Sequence, residues 1–98
     1  MFVVVVEFTV RAEYIEPFLT RVMQQAQDSL KLEVDCKVFD VCVCSKKESR
    51  ILLYEVYTNK AAFDVHLASA HFLDFSQAVQ EWVNDKQLST YERLEADI

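Results

Sequence analysis

The chain has 98 residues, of which 52% are hydrophobic and 27% charged, and its formal net charge is −6 at pH 7. This length corresponds to a single domain, residues 1–98, that buries about 60–65% of the surface of its unfolded chain. The sixteen acidic residues outnumber the ten basic ones, which are scattered along the chain. Such a surface repels a phosphate backbone, so no nucleic-acid partner is expected.

The first residues, MFVVVVEFTV, form an apolar run that stops at Glu7. The run has neither a basic leader nor a small-residue cleavage site, so we expect no signal peptide and no membrane span. The odd set of cysteines, Cys36, Cys42 and Cys44, favours reduced thiols and a cytoplasmic location. Cys42 and Cys44 do not have the C-x2-C spacing of most zinc sites, and no metal is expected there.

Four elements are predicted in residues 2–57: a strand, a long helix and two more strands. Valine and phenylalanine dominate Phe2 to Val10, which predicts a first strand. Apolar residues recur every three or four positions from Ile15 to Leu30, and polar residues up to Lys31 lie between them, which predicts a long amphipathic helix with Pro17 in its first turn. Alternating residues at Cys36 to Cys44 and Arg50 to Tyr57 predict two antiparallel strands joined by a hairpin connection.

The second half is predicted to contain two short helices and a weak last strand. Thr58 and Asn59 form a helix cap, and Ser69 can cap a further helix. Residues 84–98 predict a strand around Leu88 to Leu94 and then an acidic tail. The complete order is that of a split βαβ, or ferredoxin-like, α+β fold, in which helices cover one face of a four-stranded antiparallel sheet.

Strand alternation predicts which residues share a face of this sheet. To the helices we assign the uniformly apolar set Phe2, Val4, Val6, Phe8, Phe39, Val41, Leu52, Tyr54 and Val56. The opposite, mixed face contains Val3, Val5, Glu7, Asp40, Cys42, Leu53, Glu55 and Tyr57. Because such a bulky face is poorly suited to water, a second subunit is expected to bury it, giving a homodimer through Glu7, Asp40, Glu55 and Tyr57.

The two histidines lie near the break between the short helices. His66 is on the apolar stripe of its helix, and it is the best candidate for a general base because the histidine pKa is ordinarily near neutrality. From the residues alone, a core histidine satisfied by a hydrogen bond is the commoner interpretation of such a position. His71 could orient a substrate oxygen or serve as a cap. Tyr54 could bind a substrate hydroxyl or be an ordinary core residue. The histidines lack the i, i+4 spacing of a helical metal pair.

Several short motifs together resemble a known family. They are FDV at Phe39–Val41, LYEVY at Leu53–Tyr57, and Ala62-Phe63 followed by H-x4-HF at His66–Phe72. In combination they resemble the antibiotic biosynthesis monooxygenase domain, in the branch of small proteins similar to quinol monooxygenases and to the enzyme that processes phosphorylated autoinducer-2. The resemblance covers roughly residues 2 to 83.

This resemblance implies a ferredoxin-like homodimer whose sheets form a dimeric α+β barrel, with a pocket between sheet and helices in each subunit. It also implies oxygen chemistry without metal, flavin or haem. The chain lacks the proline-glycine turn that commonly precedes the cysteine at Cys36. Ser76 stands where haem-degrading relatives carry a haem-ligating histidine, so haem is not expected. The predicted pocket residues are Val6, Phe39, Phe63 and Phe72, although such aromatic residues are often simply core.

We therefore expect a cofactor-independent monooxygenase for a small electron-rich aromatic or quinol, with His66, His71 and Tyr54 as the catalytic candidates. One alternative is an isomerase or degradation enzyme for a small phosphorylated signalling metabolite, although the net acidity argues mildly against a phosphorylated substrate. Another is a non-catalytic dimeric module that binds a small ligand, since the fold serves many functions.

Overall fold

Seven main elements of secondary structure are present in the computed structural model, which describes residues 1–95. In chain order they are β1 (Phe2–Val10), α1 (Ile15–Leu32), β2 (Cys36–Val43), β3 (Arg50–Tyr57), α2 (Lys60–Ala68), α3 (Ala70–Val79) and β4 (Val83–Glu92). Short 3-10 turns at residues 12–14 and 80–82 flank α1 and β4. The sheet order is β2-β3-β1-β4 with antiparallel neighbours. The predicted ferredoxin-like fold is confirmed.

The last strand, β4, begins earlier than predicted, at Val83 rather than near Leu88, and ends at Glu92. Every residue of β4 after Val83 is exposed, so its hydrophobic pattern is too weak to mark the strand. Its existence depends instead on backbone pairing with β1, which extends from Phe2 opposite Glu92 to Val10 opposite Val83. Residues 96–98 of the predicted acidic tail lie outside the described residues.

The core lies between the sheet and the helices. Phe18 of α1 is fully buried, and its ring centroid lies 5.1 Å from that of Phe8 on β1 and 6.3 Å from that of Phe75 on α3. Each such buried aromatic side chain stabilises the fold by about 1.5–3 kcal/mol through removal from water. These contacts join the sheet, α1 and α3 into one core.

The buried stripe of α1 is not purely apolar. Gln25 and Ser29 are buried, whereas Met23 and Leu30 are each 47% exposed. The Ser29 hydroxyl donates a hydrogen bond to the backbone oxygen of Gln25 at 2.8 Å. The buried hydroxyl therefore has its partner within the helix itself. None of the helices within residues 1–95 has the length and apolar character needed to cross a bilayer.

The register of β3 corrects the predicted faces. Val4 pairs with Glu55 and Val6 with Leu53, and directly paired residues project to the same side of a sheet. Because Val4 and Val6 belong to the core, Glu55 and Leu53 must face the helices too. The assignment of Leu52, Tyr54 and Val56 to the helix face was therefore wrong. The residues of β3 that face the helices are Ile51, Leu53, Glu55 and Tyr57.

Two residues predicted to form the dimer contact thus belong to the interior. Glu55 is 3% exposed and Tyr57 is fully buried. Glu7 and Asp40 do lie on the face away from the helices, where Asp40 pairs with Tyr54. Both faces of β3 carry apolar residues, so the alternation of side chains does not show which face is turned towards the helices. The pairing of β3 with β1 determines this.

Candidate active site

A cavity of about 380 Å³ lies between the sheet and the helices α2 and α3. Its volume falls within the ~300–1,000 Å³ typical of small-molecule sites. Its wall includes all four of the predicted pocket residues, Val6, Phe39, Phe63 and Phe72. Whether they contact a ligand stays a prediction. Ser76 also lines the cavity.

His66 lies in the last turn of α2 and lines the cavity. Its helix starts at the Asn59 cap, whose side chain accepts a hydrogen bond from the Ala62 amide at 2.9 Å. At the other end, the Ser69 hydroxyl donates to the backbone oxygen of His66 at 2.7 Å, and Ser69 also caps α3. Ser69 therefore fixes the break between the two helices. Only 2% of His66 is exposed.

Glu33, the residue that follows α1, holds the His66 ring. Its Oε2 lies 2.8 Å from Nδ1 of His66. Since a carboxylate can only accept a hydrogen bond, the proton of the neutral imidazole belongs on Nδ1. The other ring nitrogen, Nε2, is then an unprotonated acceptor. Nε2 lies 3.9 Å from Oε1 of Glu55. His66 and Glu55 both line the cavity.

Burial lowers the pKa of His66, and the nearby Glu33 carboxylate opposes that effect by stabilising the protonated ring. The imidazole is therefore neutral at pH 7 and able to accept a proton. If it does so, Glu33 stabilises the charge that forms, in the way that a carboxylate supports histidine in other proton-transfer sites.

Glu55 is the second titratable group of the cavity. Burial raises its pKa to about 7, against the opposing effect of a hydrogen bond from Tyr57. The Tyr57 hydroxyl donates to Oε1 of Glu55 at 2.5 Å. Both protonation states of Glu55 are thus populated near neutral pH. A carboxyl group poised in this way can accept a proton or donate one.

His71 lies in the first turn of α3, behind the cavity rather than on its wall. Its Nε2 is 2.7 Å from the Glu33 oxygen that also contacts His66, but it is not aligned for a hydrogen bond. Its Nδ1 is 3.4 Å from the side-chain oxygen of Gln25. The structure thus brings both predicted histidines to one carboxylate, with His71 one step further from the cavity.

Tyr54, the third catalytic candidate, is not at this site. It is 36% exposed and lies on the face of the sheet away from the helices. Its predicted position beside the histidines was wrong because β3 presents its other face to the core. Tyr57, three residues further on and fully buried, is the tyrosine whose hydroxyl contacts the cavity residue Glu55.

Three side chains at the site could hold a metal ion. Ligand atoms of Glu33, His66 and His71 lie within 4.8 Å of one another. Around a tetrahedral zinc ion with bonds of about 2.0–2.2 Å, ligand atoms stand about 3.3 Å apart. The two contacts of Glu33 are 2.8 and 2.7 Å, so the side chains would have to separate by about 0.5 Å to admit an ion.

The cysteines do not add a nucleophile to the cavity. Cys36 is buried, and its pKa is raised to about 12 by burial and by the nearby Glu33 and Glu55 carboxylates. It is therefore a protonated, unreactive thiol. Cys42 is exposed and Cys44 half-buried, and both are free, as Cys36 is.

Sequence reasoning missed Glu33 and placed Glu55 on the wrong face. Glu33 follows the last turn of α1 and belongs to no motif, so only the folded chain brings it to His66, 33 residues away. Glu55 carried a signal that could have been used, since a single acidic residue stands between apolar neighbours in LYEVY. A buried carboxylate at such a position is costly unless it has partners, and this often indicates function.

The chain is a ferredoxin-like α+β domain with a cavity of small-molecule size between its sheet and its helices. The sequence profile of the antibiotic biosynthesis monooxygenase family matches residues 1–87. The chain belongs to this family. Among curated proteins, none matches the chain significantly.

Solved structures show the same fold at low sequence identity. A Nitrosomonas europaea protein assigned to the antibiotic biosynthesis monooxygenases is 24% identical, with a TM-score of 0.92 over 97% of this chain and 100% of its own. A Deinococcus radiodurans protein with the same assignment is 22% identical, with a TM-score of 0.91 over 100% and 97% of the two chains. A third, from Bacteroides thetaiotaomicron, is 18% identical, with a TM-score of 0.90 over 99% and 92%.

Proposed function

We propose that this protein is a cofactor-independent monooxygenase that oxidises a small electron-rich phenol or quinol in the cavity between sheet and helices. The observation that supports it best is the contact of Nδ1 of His66 with Glu33, which leaves Nε2 as the ring nitrogen nearer to Glu55, a second residue of the cavity wall. Membership of the monooxygenase family supports the reaction class.

His66 is the general base of this proposal. A substrate hydroxyl placed between Nε2 of His66 and the carboxyl group of Glu55 can give its proton to His66. The resulting anion is rich enough in electrons to transfer one to dioxygen, and a new carbon–oxygen bond forms on the ring. Cleavage of the oxygen–oxygen bond, with loss of the hydrogen from the attacked ring carbon and return of the proton from His66 to the leaving oxygen, then yields a quinone and water. The sum, a phenol plus dioxygen giving a quinone plus water, balances without an external reductant.

The aromatic wall suits such a substrate. Rings of Phe39, Phe63 and Phe72 line the cavity, and the polar groups of His66 and Glu55 lie together at its inner end. A flat apolar molecule with one hydroxyl can be held by the rings while that hydroxyl reaches the base.

The decisive experiment measures oxygen uptake with 1,4-dihydroxynaphthalene, anthrone and catechol, corrected for autoxidation without protein. We expect one quinone per dioxygen consumed, one ¹⁸O atom in the product from ¹⁸O₂, and no hydrogen peroxide. The His66→Gln variant should lose about 100-fold or more in rate. Lys60→Gln, an exposed change on the same helix, should retain the wild-type rate. Wild-type protein without oxygen uptake on any compound would overturn the proposal.

An isomerase remains a second candidate because of one specific feature. His66 and Glu55 are two proton carriers 3.9 Å apart, and the pKa of Glu55 is about 7. Such a pair can remove a proton from one carbon of a small diketone and return it to another. Exchange of substrate protons for solvent deuterium under nitrogen would favour this alternative, since the monooxygenase would not turn over there. A non-catalytic module would show ligand binding with neither reaction.

We further propose that two subunits pair through the sheet face away from the helices, in a cytoplasmic homodimer. The support for pairing is apolar surface on that face, including Leu52, Tyr54 and Tyr91. The proposed interface includes Glu7 and Asp40, which lie on that face, and no longer includes Glu55 and Tyr57, which lie on the helix side. The three free cysteines support the location.

A further inference from the structure

The outer end of the cavity carries a positive charge. Strand β4 contributes Lys86 and Leu88 to the wall. Lys86 pairs with Phe8 of β1, and Leu88 pairs with Val6. Since Phe8 and Val6 face the helices, the two residues of β4 project to the same side, into the space beneath α3. Lys86 is therefore a cavity residue, although it is exposed to solvent.

The Lys86 ammonium group is held at the cavity by an aromatic ring. Its Nζ lies 5.7 Å from the centroid of the Phe8 ring, a distance at which a cation is attracted to the face of an aromatic. Within residues 1–95 it makes no salt bridge, whereas Arg21, Arg50 and Lys60 are paired with Asp74, Glu7 and Asp64. The charge of Lys86 is thus available to a ligand.

The acidic residues of the cavity wall are not paired with this charge within residues 1–95. Asp85 also lines the cavity, but it pairs with Thr9 on the face of the sheet away from the helices and makes no salt bridge with Lys86. Glu55 lies at the inner end of the cavity, where its carboxyl group already accepts a hydrogen bond from Tyr57. Lys86 is nevertheless near enough to act on Glu55, since it is among the groups that lower the pKa of that carboxyl against the larger effect of burial.

We propose that Lys86 binds an anionic substituent of the ligand, so that this cavity selects aromatic molecules carrying an acidic group opposite their hydroxyl. The position of the hydroxyl rests on the proposed function, but the selection of the anion does not require turnover. In a chain with a formal net charge of −6, anions are repelled overall, and a local cation is needed to admit one. Carboxylate and phosphate share the chemistry that the ammonium group recognises.

The test is a binding measurement by isothermal titration calorimetry under nitrogen. Its probes are 2-naphthoate, the neutral isostere 2-naphthamide, and 2-naphthyl phosphate. Wild-type protein should bind 2-naphthoate about 5- to 20-fold more tightly than the amide, the range expected for a charge-assisted contact near the surface. Higher salt should reduce that preference. Comparison of the naphthoate with the phosphate shows which anion is preferred.

Three variants identify the residue responsible. Lys86→Met keeps an apolar stem over Phe8 but removes the charge, and it should bind the naphthoate and the amide equally. Lys86→Arg should retain most of the preference, which shows that charge rather than packing is involved. Lys60→Met removes a charge that is paired with Asp64 on an exposed helix surface, and it should behave as wild type.

Equal binding of the two isosteres by wild-type protein would overturn the proposal, as would an unchanged preference in Lys86→Met. So would the absence of any naphthoate binding at millimolar concentration. These outcomes are independent of oxygen uptake. A protein that fails the oxygen test but prefers the naphthoate through Lys86 refutes the monooxygenase and leaves the anion site standing.

Discussion

Glu33 and His66 are 33 residues apart in the chain, yet Oε2 of the carboxylate lies 2.8 Å from Nδ1 of the buried ring. This contact decides which nitrogen of His66 is free. A histidine without such a partner could carry its proton on either nitrogen, and only one of those tautomers presents a base to the cavity. Glu33, at the end of α1, therefore determines which ring nitrogen of His66, at the end of α2, can accept a proton.

Glu33→Gln should lower the pKa of His66 further, because the carboxylate is the group that raises it against burial. The variant should also weaken the preference for the tautomer protonated on Nδ1. Both effects can be followed in the ¹⁵N shifts of the ring during a pH titration. Glu16→Gln, a change in the first turn of the same helix, serves as the control and should leave the His66 titration unaltered.

Glu55 should make the fold less stable as the pH rises. Its pKa is about 7 in the folded protein, against an ordinary value of 4.5, so the folded state holds the proton more tightly. The stability due to this proton is fully present below pH 4.5 and is lost between pH 4.5 and 7. The loss can reach about 3 kcal/mol.

Urea denaturation of wild-type protein and Glu55→Gln at several pH values between 4.5 and 8 checks this. As the pH rises, the free energy of unfolding of the variant should increase relative to that of the wild type. Glu7→Gln, on the exposed face, should follow the wild type. Parallel curves for wild type and Glu55→Gln would show that Glu55 titrates normally.

Ser69→Ala should destabilise the protein by about 1 kcal/mol, the usual cost of a lost helix cap. Asn59→Ala removes the cap of α2 and should cost a similar amount. The two variants should differ at the site, because Ser69 also donates to the backbone oxygen of His66. Only Ser69→Ala is expected to shift the His66 ring resonances. Identical shifts in both variants would argue against a positioning role for Ser69.

The double variant Leu52→Glu, Tyr54→Glu should be monomeric if the proposed homodimer is correct. Both side chains lie on the sheet face away from the helices, and buried like charges across an interface are strongly unfavourable. Sedimentation at micromolar concentration should show a dimer for the wild type and a monomer for the variant. A matched change on the helix surface, Leu73→Glu, should leave the dimer intact. If the wild-type protein sediments as a monomer, the proposed interface is wrong.

Much of the fold follows from local patterns. Hydrophobic periods of two and of 3.6 residues predicted β1 and β3 with their observed ends, as well as α1 to within one residue at its end. The cap at Ser69 correctly predicted the break between α2 and α3. These features depend on neighbours in the chain, so the sequence contains the information for them directly. The element order then leaves few alternatives to a ferredoxin-like sheet.

The site depended on relationships that no local pattern contains. In β3, Leu52 and Val56 compete with Ile51 and Leu53 for the core, and a slip of one residue exchanges the two faces. The pairing of Val4 with Glu55 settles that choice, because it places Glu55 on the side of the core and Tyr54 on the other.

Local sequence patterns were sufficient to predict most elements of the fold, the family resemblance and the position of His66 on the buried side of its helix. The folded chain was needed to show that Glu55 lines the cavity with a hydrogen bond from Tyr57, that Glu33 reaches both histidines and that Lys86 lies in the exposed part of the wall. An element forms through contacts within a few residues, whereas a site is assembled from the ends of separate elements whose register is set by long-range pairing.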